Sequence, residues 1–176
     1  MIKLTLDSKK IIAFVDDEFE DLEHWYPVYR LREAGAQVDL VGPEKGGTYH
    51  GLYGIKAVAD YSYDEIDPAN YDGIVVPGGW APDKIRRYPK ALDIVRALDE
   101  AENPIGHICH AGWVLVSADV LKGHNTTSTP AIKDDVTNAG ATWHDEPVVV
   151  CGHIVSSRRP DDLPHYMREY IKLLNK

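Results

Sequence analysis

Short apolar runs and longer stripes at helical spacing alternate along the chain. The run Lys10–Val15 ("KIIAFV") is β-branched and stops at Asp16-Asp17, which reads as a buried strand. Leu22, Trp25, Tyr26 and Tyr29 then recur at helical spacing, and Gly35 stands where a helix would end. Pro27 falls within that stripe, so it belongs to the first turn or it bends the helix. Further strands are predicted over Gln37–Gly42 ("QVDLVG") and Tyr71–Gly79 ("YDGIVVPGG"), the latter ending in a Pro-Gly-Gly turn. Between them, Gly46–Asp60 is glycine-rich and alternates in "IKAVAD", the pattern of a hairpin or a small β excursion.

The second half repeats the rhythm. Leu92, Val95, Leu98 and Ala101 mark a helix, "PIGHI" a strand, and "HAGWVLVSADVL" the helix after it. "NTTST" reads as a short strand, and "PAIKDDVTNAG" as a helix with Pro130 in its first turn. "VVVCGHIVSS" reads as a hairpin turning near Cys151-Gly152. Leu163, Met167, Tyr170, Ile171 and Leu174 give a C-terminal amphipathic helix. There is no internal repeat, low-complexity tract or linker, so residues 1–176 are expected to form one domain.

Strands that alternate with helices and are apolar throughout imply an α/β fold, a mostly parallel sheet covered on both faces. In such sheets, sites form at the carboxyl ends of the strands. Three stretches fall there: Asp16–Glu20, Pro77–Asp83 and Cys109–Gly112. They are expected to converge at one edge of the sheet.

Composition narrows the function classes. The formal charge is −9, from 28 acidic and 19 basic side chains, and the acids are spread along the chain. A general nucleic-acid binder would need a basic face, so nucleic acid is not an expected partner. No apolar run is long enough for a membrane span, and no signal-peptide pattern precedes the first strand, so a cytoplasmic location is expected. Two cysteines, Cys109 and Cys151, do not make a disulfide framework.

Cys109 carries the candidate chemistry. A free cysteine is most often a small buried hydrophobe. Here it sits where a strand turns into a helix, the arrangement that lifts a nucleophile clear of the backbone. A helix N-terminus behind the thiol is expected to lower its pKa, and backbone N–H groups at the turn to hold an oxyanion. His110 follows directly; its ring could be a base, and its backbone N–H an oxyanion donor. Gly78 and Gly79 allow a second backbone to approach closely. Glu18 and Glu20, in "DDEFED", read either as a solvated acidic loop or as the source of a carboxylate held near the thiol. Such a carboxylate, partly desolvated, would have a raised pKa and could shuttle a proton. His107, Cys109 and His110 are possible zinc ligands, but no second cluster has ligand spacing, so no metal is expected. "GPEKGGTYHG" lacks a phosphate-binding fingerprint, and no cofactor is expected.

Taken in order, "DEFEDLE", "VVPGGWAPDKIR", "GHICHAGWVLVSADVLKG", "TSTPAIKDD" and "IVSSRRPDDLPHYMREYIKLL" resemble the PfpI/ThiJ superfamily, and the PfpI branch in particular. The resemblance spans nearly the whole chain. It implies a flavodoxin-like fold with class I glutamine-amidotransferase-like topology. It also implies roles: Cys109 as nucleophile, His110 as the histidine that follows it, Glu20 as the buried glutamate beside the thiolate, and Gly79 and the His110 backbone as oxyanion donors. Asp83 stands where the branch usually has a glutamate supplied to the histidine by a neighbouring subunit. Such proteins form homodimers, and members of the branch often assemble into hexamers. Two departures stand out: Asp83 is one methylene short, and Ala111-Gly112-Trp113 follows His110 where relatives often have Gly-Pro, so Trp80 and Trp113 could line the pocket.

The resemblance implies a cysteine-dependent, stress-protective enzyme acting on small α-oxoaldehydes or their adducts, of glyoxalase III or deglycase type. The alternatives are an intracellular cysteine peptidase or amidase with a Cys109–His110–Asp83 triad shared across subunits, and a non-enzymatic redox sensor in which Cys109 oxidises reversibly.

Overall fold

The computed structural model describes residues 5–176. In chain order the elements are β1 (Lys10–Phe14), α1 (Asp21–Glu33), β2 (Gln37–Gly42), β3 (Thr48–His50), β4 (Lys56–Val58), β5 (Tyr61–Ser62) and β6 (Gly73–Val76). Then come α2 (Ala81–Ile85), α3 (Pro89–Glu100), β7 (Ile105–Ile108), α4 (Gly112–Ala118), β8 (Asn125–Thr126) and α5 (Lys133–Asn138). The chain closes with β9 (Thr142–Trp143), β10 (Val148–Cys151), β11 (Ile154–Ser157) and α6 (Leu163–Leu174).

Seven strands form one sheet in the order β10-β11-β7-β6-β1-β2-β5. All neighbours are parallel except the edge pair β10–β11. The central strands carry no regular polar–apolar alternation, because helices cover both faces and both must be mostly apolar; the buried exceptions include Asp39 of β2 and His107 of β7. Ile11, Ile12, Phe14, Ile74 and Ile105 are all fully buried. Burying an aliphatic side chain of that size contributes roughly 1.5–3 kcal/mol. Helices α1 and α6 pack together on one side, and α2, α3 and α4 on the other. This is the mostly parallel, flavodoxin-like α/β architecture expected from the sequence. The predicted hairpins are present as the antiparallel pairs β3–β4 and β10–β11.

Helix α1 differs from its sequence signal in one respect that matters for the site. The stripe Leu22, Trp25, Tyr26 and Tyr29 does not face the core as one: Leu22 and Tyr29 are exposed, whereas Trp25 and Tyr26 are partly buried against the core. The inward face carries Glu23, His24, Pro27, Val28 and Leu31. Pro27 lies in the middle of the helix rather than in its first turn, and α1 continues through it.

Candidate active site

The three predicted stretches meet at the carboxyl edge of the sheet. The loop after β1 and the loop after β6 are stitched together by backbone hydrogen bonds. Trp80 N–H donates to the Glu18 carbonyl at 2.8 Å, Glu20 N–H to the Gly78 carbonyl at 3.2 Å, and Phe19 bridges Gly79. Gly79 takes φ +74°, a conformation costly for any side chain, and a Cβ there would run into the backbone of Glu18 and Glu20.

Cys109 follows β7 directly and adopts φ +61°. A non-glycine residue in the left-handed region is strained and persists only where its surroundings demand it. A single helical turn (Cys109–Ala111) then leads into α4. The strained residue turns the chain sharply, so the side chain stands between the β6 loop and α1.

The carboxyl that meets the thiol belongs to Glu23, not Glu20. Glu23 is buried, and its two carboxyl oxygens make no well-formed hydrogen bond. They face the Cys109 thiol and the N–H of Gly78. Burial, reinforced by the nearby charge of Glu20, pushes the Glu23 carboxyl up to about 8. Gly78 is essential to this contact, since a Cβ there would lie 2.6 Å from the Cβ of Cys109 and would also strike a Glu23 oxygen. Glu20 instead caps α1, its Oε2 accepting from the Glu23 backbone N–H at 2.7 Å. The Glu20 carboxyl is also raised, mainly by burial. Glu18, at φ +66°, points to solvent and pairs with Lys84.

The expected lowering of the thiol by a helix N-terminus does not dominate. Burial pushes the Cys109 thiol up, and the Glu23 carboxylate adds to this when ionised. The backbone N–H groups of His110 and Gly79 act in the opposite sense, favouring the thiolate. Because both groups are raised, Cys109 and Glu23 retain their protons well above the ranges usual for a thiol and a carboxyl. Once Glu23 is neutral, it no longer repels a thiolate.

His110 lies over the same spot. Its Nδ1 is 3.3 Å from the Cys109 sulfur, and burial lowers the imidazole below its ordinary range. Its ring centroid is 5.0 Å from that of Trp80 and 5.1 Å from that of Trp113. Asp83 is in the neighbouring helix α2, where its carboxylate pairs with Arg87 one turn on. Among the described residues Asp83 makes no hydrogen bond to His110. His107 is fully buried and bonded through Nε2 to the Thr126 hydroxyl at 3.2 Å. Among the described residues no group of three His, Cys, Asp or Glu side chains could hold a metal ion. No helix of the described residues is long and apolar enough to cross a membrane. Cys151 lies in β10, where its sulfur accepts from the Asn125 N–H at 3.4 Å.

A parallel α/β sheet with a strained cysteine at its carboxyl edge and a protonatable glutamate against the sulfur defines a class of thiol-bearing flavodoxin-like proteins. The chain belongs to the DJ-1/PfpI family, whose model matches residues 9–173. It is 44% identical over 165 residues to a Pyrococcus furiosus protein named Deglycase PfpI, covering 94% of this chain and 99% of that one. It is 40% identical over 169 residues to Protein/nucleic acid deglycase 2 of Escherichia coli, covering 95% and 98%. Among solved structures it superposes with a TM-score of 0.94 and 34% identity on an Anabaena variabilis protein with DJ-1/ThiJ/PfpI-like and ferritin-like domains. That match covers 96% of this chain and 48% of the larger one.

Proposed function

We propose that the chain is a cysteine-dependent deglycase that acts on small α-oxoaldehydes and on their early adducts with amines. The observation that carries this reading is the buried, protonatable Glu23 carboxyl against the Cys109 sulfur. Simple acyl transfer needs mainly a base and an oxyanion hole, whereas moving a proton between adjacent carbons calls for a second acid–base group at the thiol. The names of the similar deglycases support the same class of substrate.

In this reading, neutral His110 takes the thiol proton through Nδ1. The resulting thiolate is held by the Glu23 O–H and by the N–H groups of Gly79 and His110. The sulfur attacks the aldehyde carbon of methylglyoxal, and the carbonyl electron pair moves onto oxygen. That oxygen takes the proton back from the imidazolium, giving a hemithioacetal. Where the substrate is an amine adduct, the thiolate displaces the amine from the carbinol carbon and reaches the same intermediate. His110 then removes the carbon-bound hydrogen as the Glu23 carboxyl protonates the ketone oxygen; the imidazolium returns its proton to the former ketone carbon as the Glu23 carboxylate takes the hydroxyl proton beside the sulfur, leaving a lactoyl thioester. Water cleaves the thioester to lactate and free thiol. The sum is methylglyoxal plus water to lactate. Incubation with methylglyoxal in the absence of glutathione should yield lactate with the parent protein and none with Cys109→Ala. Equal yields from both would overturn the reading.

A second reading rests on the Cys109–His110 contact of 3.3 Å, a thiol–imidazole pair of the kind used in peptide hydrolysis. Turnover of a fluorogenic peptide, lost in Cys109→Ala, would favour it. Turnover that persists in Cys109→Ala would eliminate it. Association into a homo-oligomer is part of the proposal, and light scattering in solution tests it.

A further inference from the structure

We propose that Asp21 is a positioning residue for the thiol site: its carboxylate clamps the turn at residues 51–55, and that turn, through the Phe19 segment, holds the Gly79 N–H in register against Cys109. The inference rests on the reading of Cys109 and Gly79 given above.

Asp21 is the first residue of α1 and is buried. Its Oδ2 accepts from the Tyr53 N–H and its Oδ1 from the Ile55 N–H, both at 2.9 Å. Hydrogen bonds to an ionised acceptor are roughly twice as strong as neutral ones. The turn is shaped to receive the carboxylate: a Cβ on Gly51 would lie between 2.4 and 2.6 Å from its carbon and both oxygens. Yet the turn does not need Asp21 in order to close. Gly51 N–H donates to the Ile55 carbonyl at 2.8 Å and Gly54 N–H to the Gly51 carbonyl at 3.0 Å. What the carboxylate adds is the placement of a closed turn against α1.

The clamped turn is one flank of a backbone ladder that ends at the thiol. Glu18 N–H donates to the His50 carbonyl at 2.7 Å, and Leu52 N–H to the Phe19 carbonyl at 2.9 Å. Asp17 adds a tie, its Oδ1 accepting from the His50 N–H at 2.9 Å. On its other side the same segment carries residues 78–80, through the Glu18–Trp80 and Glu20–Gly78 bonds and the Phe19–Gly79 bridge. The Gly79 N–H faces the sulfur and favours the thiolate. Phe19, between the two flanks, is fully buried, and close packing there passes a displacement on rather than absorbing it. All of these links lie within one chain, so a neighbouring subunit adds to them without supplying them.

The test uses the full chain in whatever assembly it forms. Asp21→Ala removes both acceptors, Asp21→Asn keeps one, and Gly51→Ala displaces the carboxylate from the far side of the contact. Asp72→Ala is the control, because that carboxylate holds the Lys10 N–H at 2.8 Å at the opposite, amino edge of the sheet. Each variant is measured for thermal stability, for the pH profile of Cys109 alkylation by iodoacetamide, and for kcat and KM with methylglyoxal. Asp21→Ala and Gly51→Ala should lower kcat roughly tenfold to a hundredfold, the cost of a slightly misplaced group, with KM nearly unchanged. Their alkylation profiles should move up by roughly one pH unit, since a thiolate with a weakened N–H donor forms at higher pH. Asp21→Asn should fall between these variants and the parent. Asp72→Ala should lose stability and keep the parent's kcat and profile. Parent-like kcat and alkylation in both Asp21→Ala and Gly51→Ala, or an equal shift in Asp72→Ala, overturns the proposal. If Asp21→Ala fails to fold, Gly51→Ala and Asp21→Asn decide. If the parent makes no lactate, the proposed substrate fails, while the alkylation profiles still decide whether Asp21 positions the thiol site.

Discussion

The Glu20 carboxylate accepts a hydrogen bond from the backbone N–H of Glu23 at 2.7 Å, and Glu23 in turn presses its own carboxyl against the Cys109 thiol. The two glutamates are one helical turn apart and have separate tasks: Glu20 starts the helix, and Glu23 reaches the sulfur. Exchange of either for glutamine should separate them. Glu23→Gln should lower lactate formation at least a hundredfold, the scale of a lost acid–base group. Glu20→Gln should keep most of the activity but lower thermal stability, as weakening a helix cap costs about 1 kcal/mol. Steady-state turnover and calorimetry on both variants check this.

The raised Glu23 carboxyl also predicts a pH dependence of stability. Its folded pKa of about 8 lies above the unfolded value of 4.5. The contribution is therefore complete below pH 4.5 and is lost as pH rises through 8. The difference in denaturation midpoint between the parent and Glu23→Gln should shift against the parent across that window. A difference independent of pH would show that Glu23 is not protonated in the folded protein.

Gly78→Ala should impair the site with little effect on the rest of the fold. The added methyl would meet the Cys109 Cβ at 2.6 Å and a Glu23 oxygen, so one of the two must move. Activity should fall roughly a hundredfold, consistent with the cost of displacing a reacting group by about 1 Å. A crystal structure of the variant should show the Glu23–Cys109 contact opened.

The two cysteines should respond differently to substitution. Cys109→Ala should abolish lactate formation, whereas Cys151→Ser should retain it within about twofold, the range expected for a change without a catalytic role. Cys151 accepts a backbone N–H in the β8–β10 region and takes no part in the thiol–carboxyl contact. Parallel assays of both variants suffice.

Much of the site is legible in the sequence alone. Asp16–Glu20, Pro77–Asp83 and Cys109–Gly112 each follow an apolar strand, and parallel strands bring their carboxyl ends to one edge. The identity of the acid is not. The aromatic stripe of α1 signals a helix, but Leu22 and Tyr29 face outward. Taken as landmarks, those residues give no reason to turn Glu23 inward. The available signal was the register Glu23, Pro27, Leu31, a four-residue spacing that places a carboxyl on an otherwise apolar face. The quoted motif "DEFEDLE" in fact ends on Glu23.

By itself, the sequence determined the order of strands and helices, the parallel sheet and the turn that carries Cys109. Those features follow from local periodicity and from the few connections an α/β chain permits. Only the tertiary structure decided which glutamate meets the sulfur, that burial raises the thiol despite the N–H groups around it, and that His110 rests against Trp80 and Trp113. Each of these depends on side-chain direction and desolvation, which arise when segments distant in the chain pack together.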